Sequence, residues 1–245
     1  MNTTPQPRAE YALELCALSR RFVTRRSLFG KVEEFKAVSE VSLRLALGET
    51  LGLVGESGCG KSTLAKMLLG LLAPSEGSVL INGREVLPTE RKAMSRFIQP
   101  IFQDPYSSLN PRKTVAQIVG LPLRLHGLGS AAGQAAKVVE MLDLVGMPKR
   151  THGQYPAQLS GGQRQRVAIA RALMLRPQVL IGVVEHLADR VAVMYRGSIV
   201  EQASREAIFS APAHPYTRML LSSALTPEPG LGIPDIKRDF ETLAA

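Results

Sequence analysis

The sequence predicts an α/β fold: a mostly parallel sheet around a glycine-loop helix, with a helical subdomain near residues 112–158 and an antiparallel β part at the N-terminal side. Three observations carry this expectation. A short apolar run, residues 51–54, breaks into Gly55-Glu56-Ser57-Gly58-Cys59-Gly60-Lys61-Ser62-Thr63 and resumes as an apolar-periodic run over 64–72, which reads as strand, glycine loop, helix. Val41, Leu43 and Leu45 alternate with Ser42 and Arg44, the pattern of a half-buried strand ending at Gly48-Glu49. Two helical stretches, 114–126 and 131–145, are separated by Gly127 and Gly129 and supply the helical subdomain.

The remaining elements follow in order. Residues 11–18 and 78–81 read as strands, the second preceded by a turn over 74–77 and closed by Asn82-Gly83. Residues 98–102 form a buried strand that runs into Gln103-Asp104-Pro105. A connection over 148–156 leads to Leu159-Ser160-Gly161-Gly162-Gln163, which opens a helix over 163–175 that stops before Pro177. A short strand over 179–181 and a short helix over 183–190 come next. Residues 191–195 and 198–201 form a hairpin about Arg196-Gly197, Ser204 caps a short helix, and 217–224 is a last one. The chain is expected to hold one domain over 1–225, with a Pro- and Gly-rich tail over 226–245 that is poorly ordered.

The glycine loop has the residue types that phosphate chemistry requires. Gly55, Gly58 and Gly60 admit positive φ and leave successive backbone N–H groups free to turn on an anion. A helix opening at Lys61 adds unsatisfied N–H groups and the positive end of its dipole. Lys61 is a point charge for β- and γ-phosphates, and the Ser62 hydroxyl suits Mg²⁺. The plainer alternative is a glycine turn between strand and helix, which leaves the lysine and hydroxyl unexplained. Cys59, inside the loop, reads as a small residue that fits; a thiol at a helix N-terminus is also open to oxidation.

Composition narrows the class. With 245 residues, 45% of them hydrophobic, the chain can bury a substantial core. No apolar run approaches the roughly 18 residues of a membrane span, and no secretory signal is evident. Two cysteines give no disulfide framework and fit a reducing compartment. The formal charge of +9 suits phosphates, anionic lipid or nucleic acid, but aromatics are only 5% and Trp is absent, which argues against single-strand stacking. The basic cluster Arg20, Arg21, Arg25, Arg26, Lys31, Lys36 reads as a solvated loop.

Ser160-Gly161-Gly162-Gln163 is a second hydroxyl-plus-glycine segment at a helix start, also able to receive phosphate, although alone it is an ordinary cap. Together, the glycine loop, this segment and the glutamine after strand 98–102 resemble the ATP-binding subunits of ABC transporters, over nearly the whole chain. Phe102-Gln103-Asp104-Pro105-Tyr106-Ser107-Ser108-Leu109-Asn110-Pro111 and His214-Pro215-Tyr216-Thr217 look like the importer group for dipeptides, oligopeptides or nickel. The resemblance implies a P-loop ATPase fold that binds ATP and Mg²⁺. Ser62 and Gln103 would lie at the metal, with Gln103 also at the attacking water, and Ser160, Gly161, Gly162 and Gln163 would complete the site of a second ATP-binding subunit in a head-to-tail dimer. It implies an aromatic on adenine, with Phe22 the candidate and Phe35 behind it. Its partners would be membrane-spanning permease subunits and, indirectly, a substrate-binding protein, with no nucleic acid. Its place would be the cytoplasm, on the inner face of the membrane.

One stretch departs from the family pattern. After Val179-Leu180-Ile181 the family continues with an aspartate and a glutamate, a second aspartate, a helix, and a strand ending in a switch histidine. Here Gly182-Val183-Val184-Glu185-His186-Leu187-Ala188-Asp189-Arg190 follows, text that looks like the family's segment beyond that histidine. About one βαβ unit, roughly 30 residues, has no counterpart. Neither Glu185 nor His186, on a short helix, is expected to replace the general base. Hydrolysis is therefore expected to be impaired. Two alternatives remain: a non-catalytic nucleotide-binding chain or non-functional deletion product, and a soluble ATPase of the family acting on nucleic acid or ribosomes. If strands 179–181 and 191–195 shared one sheet, residues 182–190 would be too short for the usual crossover of about a dozen residues.

Overall fold

The computed structural model describes residues 10–25, 32–87, 89–102, 108–182 and 188–225. The chain divides into two compact units: Met1–Ala65 with Ala73–Gly83 and Val184–Ala245, and Lys66–Leu72 with Arg84–Val183.

The first unit is built on two sheets. β1 (Tyr11–Arg25) pairs antiparallel with β2 (Val32–Ala46) and, on its other side, with β4 (Glu76–Ile81). β3 (Leu51–Val54) runs parallel to β8 (Arg190–Tyr195), which turns at Arg196-Gly197 into antiparallel β9 (Ser198–Ser204). The alternation read in β2 is real: Val41 and Leu43 are buried and Ser42 and Arg44 are exposed. β1 is longer than the sequence suggests. Its second half carries Arg20 and Arg21, which were expected in a basic loop. They stay in a strand because partners neutralise or bond them: Arg21 pairs with Glu34 at 3.4 Å and with Glu76, and Arg20 donates to the Ala73 carbonyl at 2.9 Å. Lys31 and Arg26 lie outside the described residues. α7 (Arg205–Ser210), capped by the Ser204 hydroxyl as expected, and α8 (Pro215–Leu225) close this unit over β8. Val191, Val193, Ile208 and Tyr216 form the core there.

α1 (Lys61–Leu68) follows the glycine loop. The second unit opens on β5 (Arg84–Glu85) and α2 (Arg91–Phe97), then β6 (Ile98–Ile101), parallel to β7 (Val179–Gly182). Its helical part is α3 (Val115–Val119), α4 (Leu121–His126), α5 (Ala131–Leu144) and α6 (Gly161–Leu173). The expected helix over 114–126 is two short helices meeting at Gly120. The Thr114 hydroxyl caps the first, and left-handed Gly127 ends the second. Apolar residues at helical spacing on α3, α5 and α6, among them Val115, Val119, Leu142 and Val167, close one core. Arg164, nearly buried, is held inside by donating from Nε to the Pro156 carbonyl at 2.7 Å.

The parallel strands thus fall into two sheets, β3-β8-β9 and β6-β7. Residues 179–181 and 191–195 do not share a sheet, so the short connection between them makes no parallel crossover. The helix expected over 183–190 falls partly on residues 183–187, outside the described residues, while Arg190 already belongs to β8. The tail over 226–245 is also outside them.

Candidate functional site

The glycine loop leaves β3 at Gly55 and enters α1 at Lys61. Three distant segments hold it. A β-carbon on Gly55 would stand 2.2 Å from the Met194 carbonyl oxygen, and one on Gly60 would stand 2.4 Å from that of Ala37. Both glycines have φ in the positive range, +151° and +117°, so backbone approach and conformation together demand them. The third support is the hairpin tip: Gly197 N–H donates to the Cys59 carbonyl at 2.9 Å, and Ser39 N–H donates to the Gly197 carbonyl at 2.8 Å. Cys59 and Gly60 are buried by these contacts, while Glu56, Ser57 and Gly58 are exposed.

Gly58 differs from its neighbours. At φ +84° an added β-carbon would meet nothing within 4 Å among the described residues, so at its crest the loop is open on the described side. Lys61 bends back across this crest. Its Nζ donates to the Gly55 carbonyl at 2.6 Å and the Glu56 carbonyl at 2.7 Å, with Cys59 Sγ at 3.5 Å. None of these described partners is a full negative charge, so an anion at the crest would offer the ammonium a stronger acceptor than they do. Ser62 is exposed on the first turn of α1, and Thr63 is half-buried. A loop of this geometry can take a polyphosphate, and an exposed hydroxyl beside it can take a hard cation.

Ser160, Gly161, Gly162 and Gln163 open α6 in the second unit. The Ser160 hydroxyl accepts the Gln163 N–H at 3.3 Å and the Gln163 side chain accepts the Ser160 N–H at 3.0 Å, a reciprocal capping box. A β-carbon added to Gly161 or Gly162 would meet nothing within 4 Å among the described residues. Gln103 lies outside the described residues. Phe22 on β1 is 36% exposed, not a core residue, and stands opposite Phe35, 60% exposed, on β2. The Arg20 guanidinium lies 4.8 Å from the centre of its ring. Among the described residues no group of three or more His, Cys, Asp or Glu side chains could hold a metal ion, and no helix is long and apolar enough to cross a membrane.

Sequence reasoning missed the supports of the loop. Ala37, Met194 and Gly197 carry no motif. Tyr216 does belong to one, but its physical task is visible only in the fold: its hydroxyl oxygen accepts the Glu56 N–H at 3.1 Å.

The glycine loop runs between β3 and α1 and is held by backbone of β2 and of the β8–β9 hairpin. The ABC transporter profile matches residues 38–182, and that of the oligopeptide/dipeptide transporter C-terminal region matches residues 200–244. The chain belongs to the ABC transporter family. It is 39% identical to the oligopeptide transport ATP-binding protein AppF of Bacillus subtilis (strain 168), over 87% of this chain and 78% of that protein. It is 39% identical to the glutathione import ATP-binding protein GsiA of Salmonella typhi, over 90% of this chain but only 42% of that longer protein. Among solved structures, the dimeric ATP-binding cassette MJ0796 bound to ADP and Pi superposes with a TM-score of 0.65 at 24% identity, covering 78% of this chain and 98% of that one. The cbiO1 subunit of Clostridium perfringens gives 0.67 at 21%, covering 82% and 92%. At these identities the structural likeness speaks for the fold alone.

Proposed function

We propose that this chain is the ATP-binding subunit of an ABC importer for peptides. It would work with membrane-spanning subunits and a second ATP-binding subunit, and so lie against the inner face of the membrane. The peptide and glutathione names of its relatives favour peptides over nickel. The observation that carries the nucleotide reading is the open crest of the loop, with Lys61 held over it by neutral acceptors. In this reading the loop N–H groups bind phosphate oxygens, Lys61 moves from the carbonyls to the terminal phosphates, and Ser62 holds Mg²⁺, with Gln103 completing its shell. Phe22 stacks on adenine, its exposure supporting a ring-binding surface. Ser160, Gly161, Gly162 and Gln163 face the nucleotide of the partner subunit. Mg²⁺ held by Ser62 and Gln103 would supply positive charge against the phosphates.

Hydrolysis is proposed to be impaired. β7 ends at Gly182, and the three residues directly after Ile181 are Gly182, Val183 and Val184, none of them a carboxylate. The alignment with the Bacillus relative runs over 257 residues, more than the 245 of this chain, so that relative carries residues without a counterpart here. A positioned general base is worth about 10²- to 10⁴-fold in rate. One experiment tests both parts: calorimetric titration of Mg–ATP into the wild-type chain and Lys61→Ala, with phosphate release followed on the same samples. The expected outcome is binding by the wild type, strong weakening by the substitution, and turnover near background in both. Equal affinities would sink the loop assignment, and rapid turnover would sink the claim of impairment.

A further inference from the structure

Tyr216 is completely buried, one of the largest side chains so placed. Its ring stacks at 4.2 Å on Tyr195, tilted by 37°, and packs among Val191, Val193 and Ile208. A buried phenol needs a polar partner, and this one accepts the N–H of Glu56 at 3.1 Å. That N–H and the Gly55 carbonyl are the two ends of one planar peptide unit. The carbonyl end accepts the Lys61 ammonium at 2.6 Å. One rigid plane is therefore held at its amide by Tyr216 and at its carbonyl by Lys61, and turning the plane moves both groups. Hydrogen bonds at the two ends of an amide also polarise each other.

The start of α8 is itself fixed. Glu201 on β9 accepts the N–H groups of Ala213 at 2.7 Å and His214 at 3.0 Å, and His214 Nδ1 accepts the N–H of Tyr216 at 3.1 Å. Pro215, with φ preset, begins the helix. The phenol is thus delivered to the loop from a clamped helix start. Burial raises the Tyr216 pKa, which keeps the hydroxyl neutral.

We propose that Tyr216 is a positioning residue for Lys61. It sets the tilt of the Gly55–Glu56 peptide and thereby the point from which the ammonium reaches the terminal phosphates of a nucleotide. The proposal rests on the nucleotide reading above and gives the His214-Pro215-Tyr216-Thr217 run a task inside the site.

The test uses the full chain with Tyr216→Phe, which keeps the ring and removes the hydroxyl. Without nucleotide, amide hydrogen exchange at Glu56 should quicken about 2- to 12-fold, the worth of one net hydrogen bond, while exchange at Val193 in β8 stays at the wild-type rate. Unchanged exchange at Glu56 overturns the brace. Because the lysine reaches the β- and γ-phosphates, Mg–ATP affinity should fall by about the same factor and Mg–ADP affinity by less. Equal loss for both nucleotides, or no loss, overturns the positioning role. Tyr195→Phe should leave Glu56 exchange and the ATP-to-ADP ratio at wild-type values; an effect matching that of Tyr216→Phe would assign the result to ring packing and overturn the proposal. A wild-type chain that binds no nucleotide overturns the nucleotide reading and the positioning role with it, an outcome distinct from a failed brace because Glu56 exchange is read without ligand.

Discussion

The chain has two hydroxyl-and-glycine helix starts, and they are built in opposite ways. The start at Lys61 is held from outside, by Ala37, Met194, Gly197 and Tyr216, all far away in sequence. The start at Gly161 closes on itself, with Ser160 and Gln163 exchanging hydrogen bonds three residues apart. Glycine does different work in each. Gly55 and Gly60 let backbone approach backbone, whereas a β-carbon added to Gly161 or Gly162 would meet nothing within 4 Å among the described residues, and both keep ordinary φ. Similar sequence text thus produces a rigid cradle in one place and an exposed, self-sufficient cap in the other. A cradle must be in position before its ligand arrives.

Three substitutions or conditions sharpen this contrast, from the largest effect to the smallest. Gly55→Ala must displace the Met194 carbonyl or distort a positive-φ backbone. Strain and overpacking together should cost about 3 kcal/mol or more, a large part of a typical margin of about 5–15 kcal/mol. Chemical denaturation measures it, and a loss below about 0.5 kcal/mol, the scale of an ordinary surface change, would mean the loop is not externally held. Ser160→Ala removes half of a local cap and should cost about 1 kcal/mol with no change in exchange rates around Gly55. A loss of several kcal/mol would show that the second start, too, has distant supports.

The smallest effect concerns acid. Burial alone would raise the Glu201 pKa, but the Thr217 side chain, the Ala213 and His214 N–H groups and the nearby His214 together hold it below the usual carboxylate value. A depressed folded-state pKa gives stability that is complete above the unfolded value and is lost as pH falls through the folded one. Thermal unfolding should therefore drop below about pH 4, and Glu201→Gln should flatten that limb. An unaltered acid limb would remove Glu201 from the clamp at the start of α8.

What could be read from the sequence follows the same division. Local features were legible: the strand before Gly55, the helix after Lys61, the caps at Ser160 and Ser204, the hairpin at Arg196-Gly197, and the alternation of Val41 and Leu43. Each is decided by residues within a few positions. α2 was not legible, because Glu90 makes no side-chain cap and Arg91 and Lys92 put positive charge at the end where the helix dipole disfavours it; only Met94 is buried. The second half of β1 was hidden because Arg20 and Arg21 read as solvated until their acidic and carbonyl partners are known. The separation of the parallel strands into two sheets was not legible, because strand pairing is decided by residues far apart in the chain. The braces of the phosphate loop were invisible, since nothing in Met194 or Ala37 announces that its carbonyl will lie against a glycine.

The tyrosine contact also sets an order of events. Tyr216 stands 160 positions after Glu56, and Gly197 is nearly as far from Cys59. On a ribosome adding about 5–20 residues per second, the glycine loop emerges many seconds before either brace exists. Contacts of such long separation close late, after the intervening chain has lost its freedom. The stretch most readable as text is therefore among the last to be finished as structure, and the cell holds a nascent chain with the motif well before it holds a site.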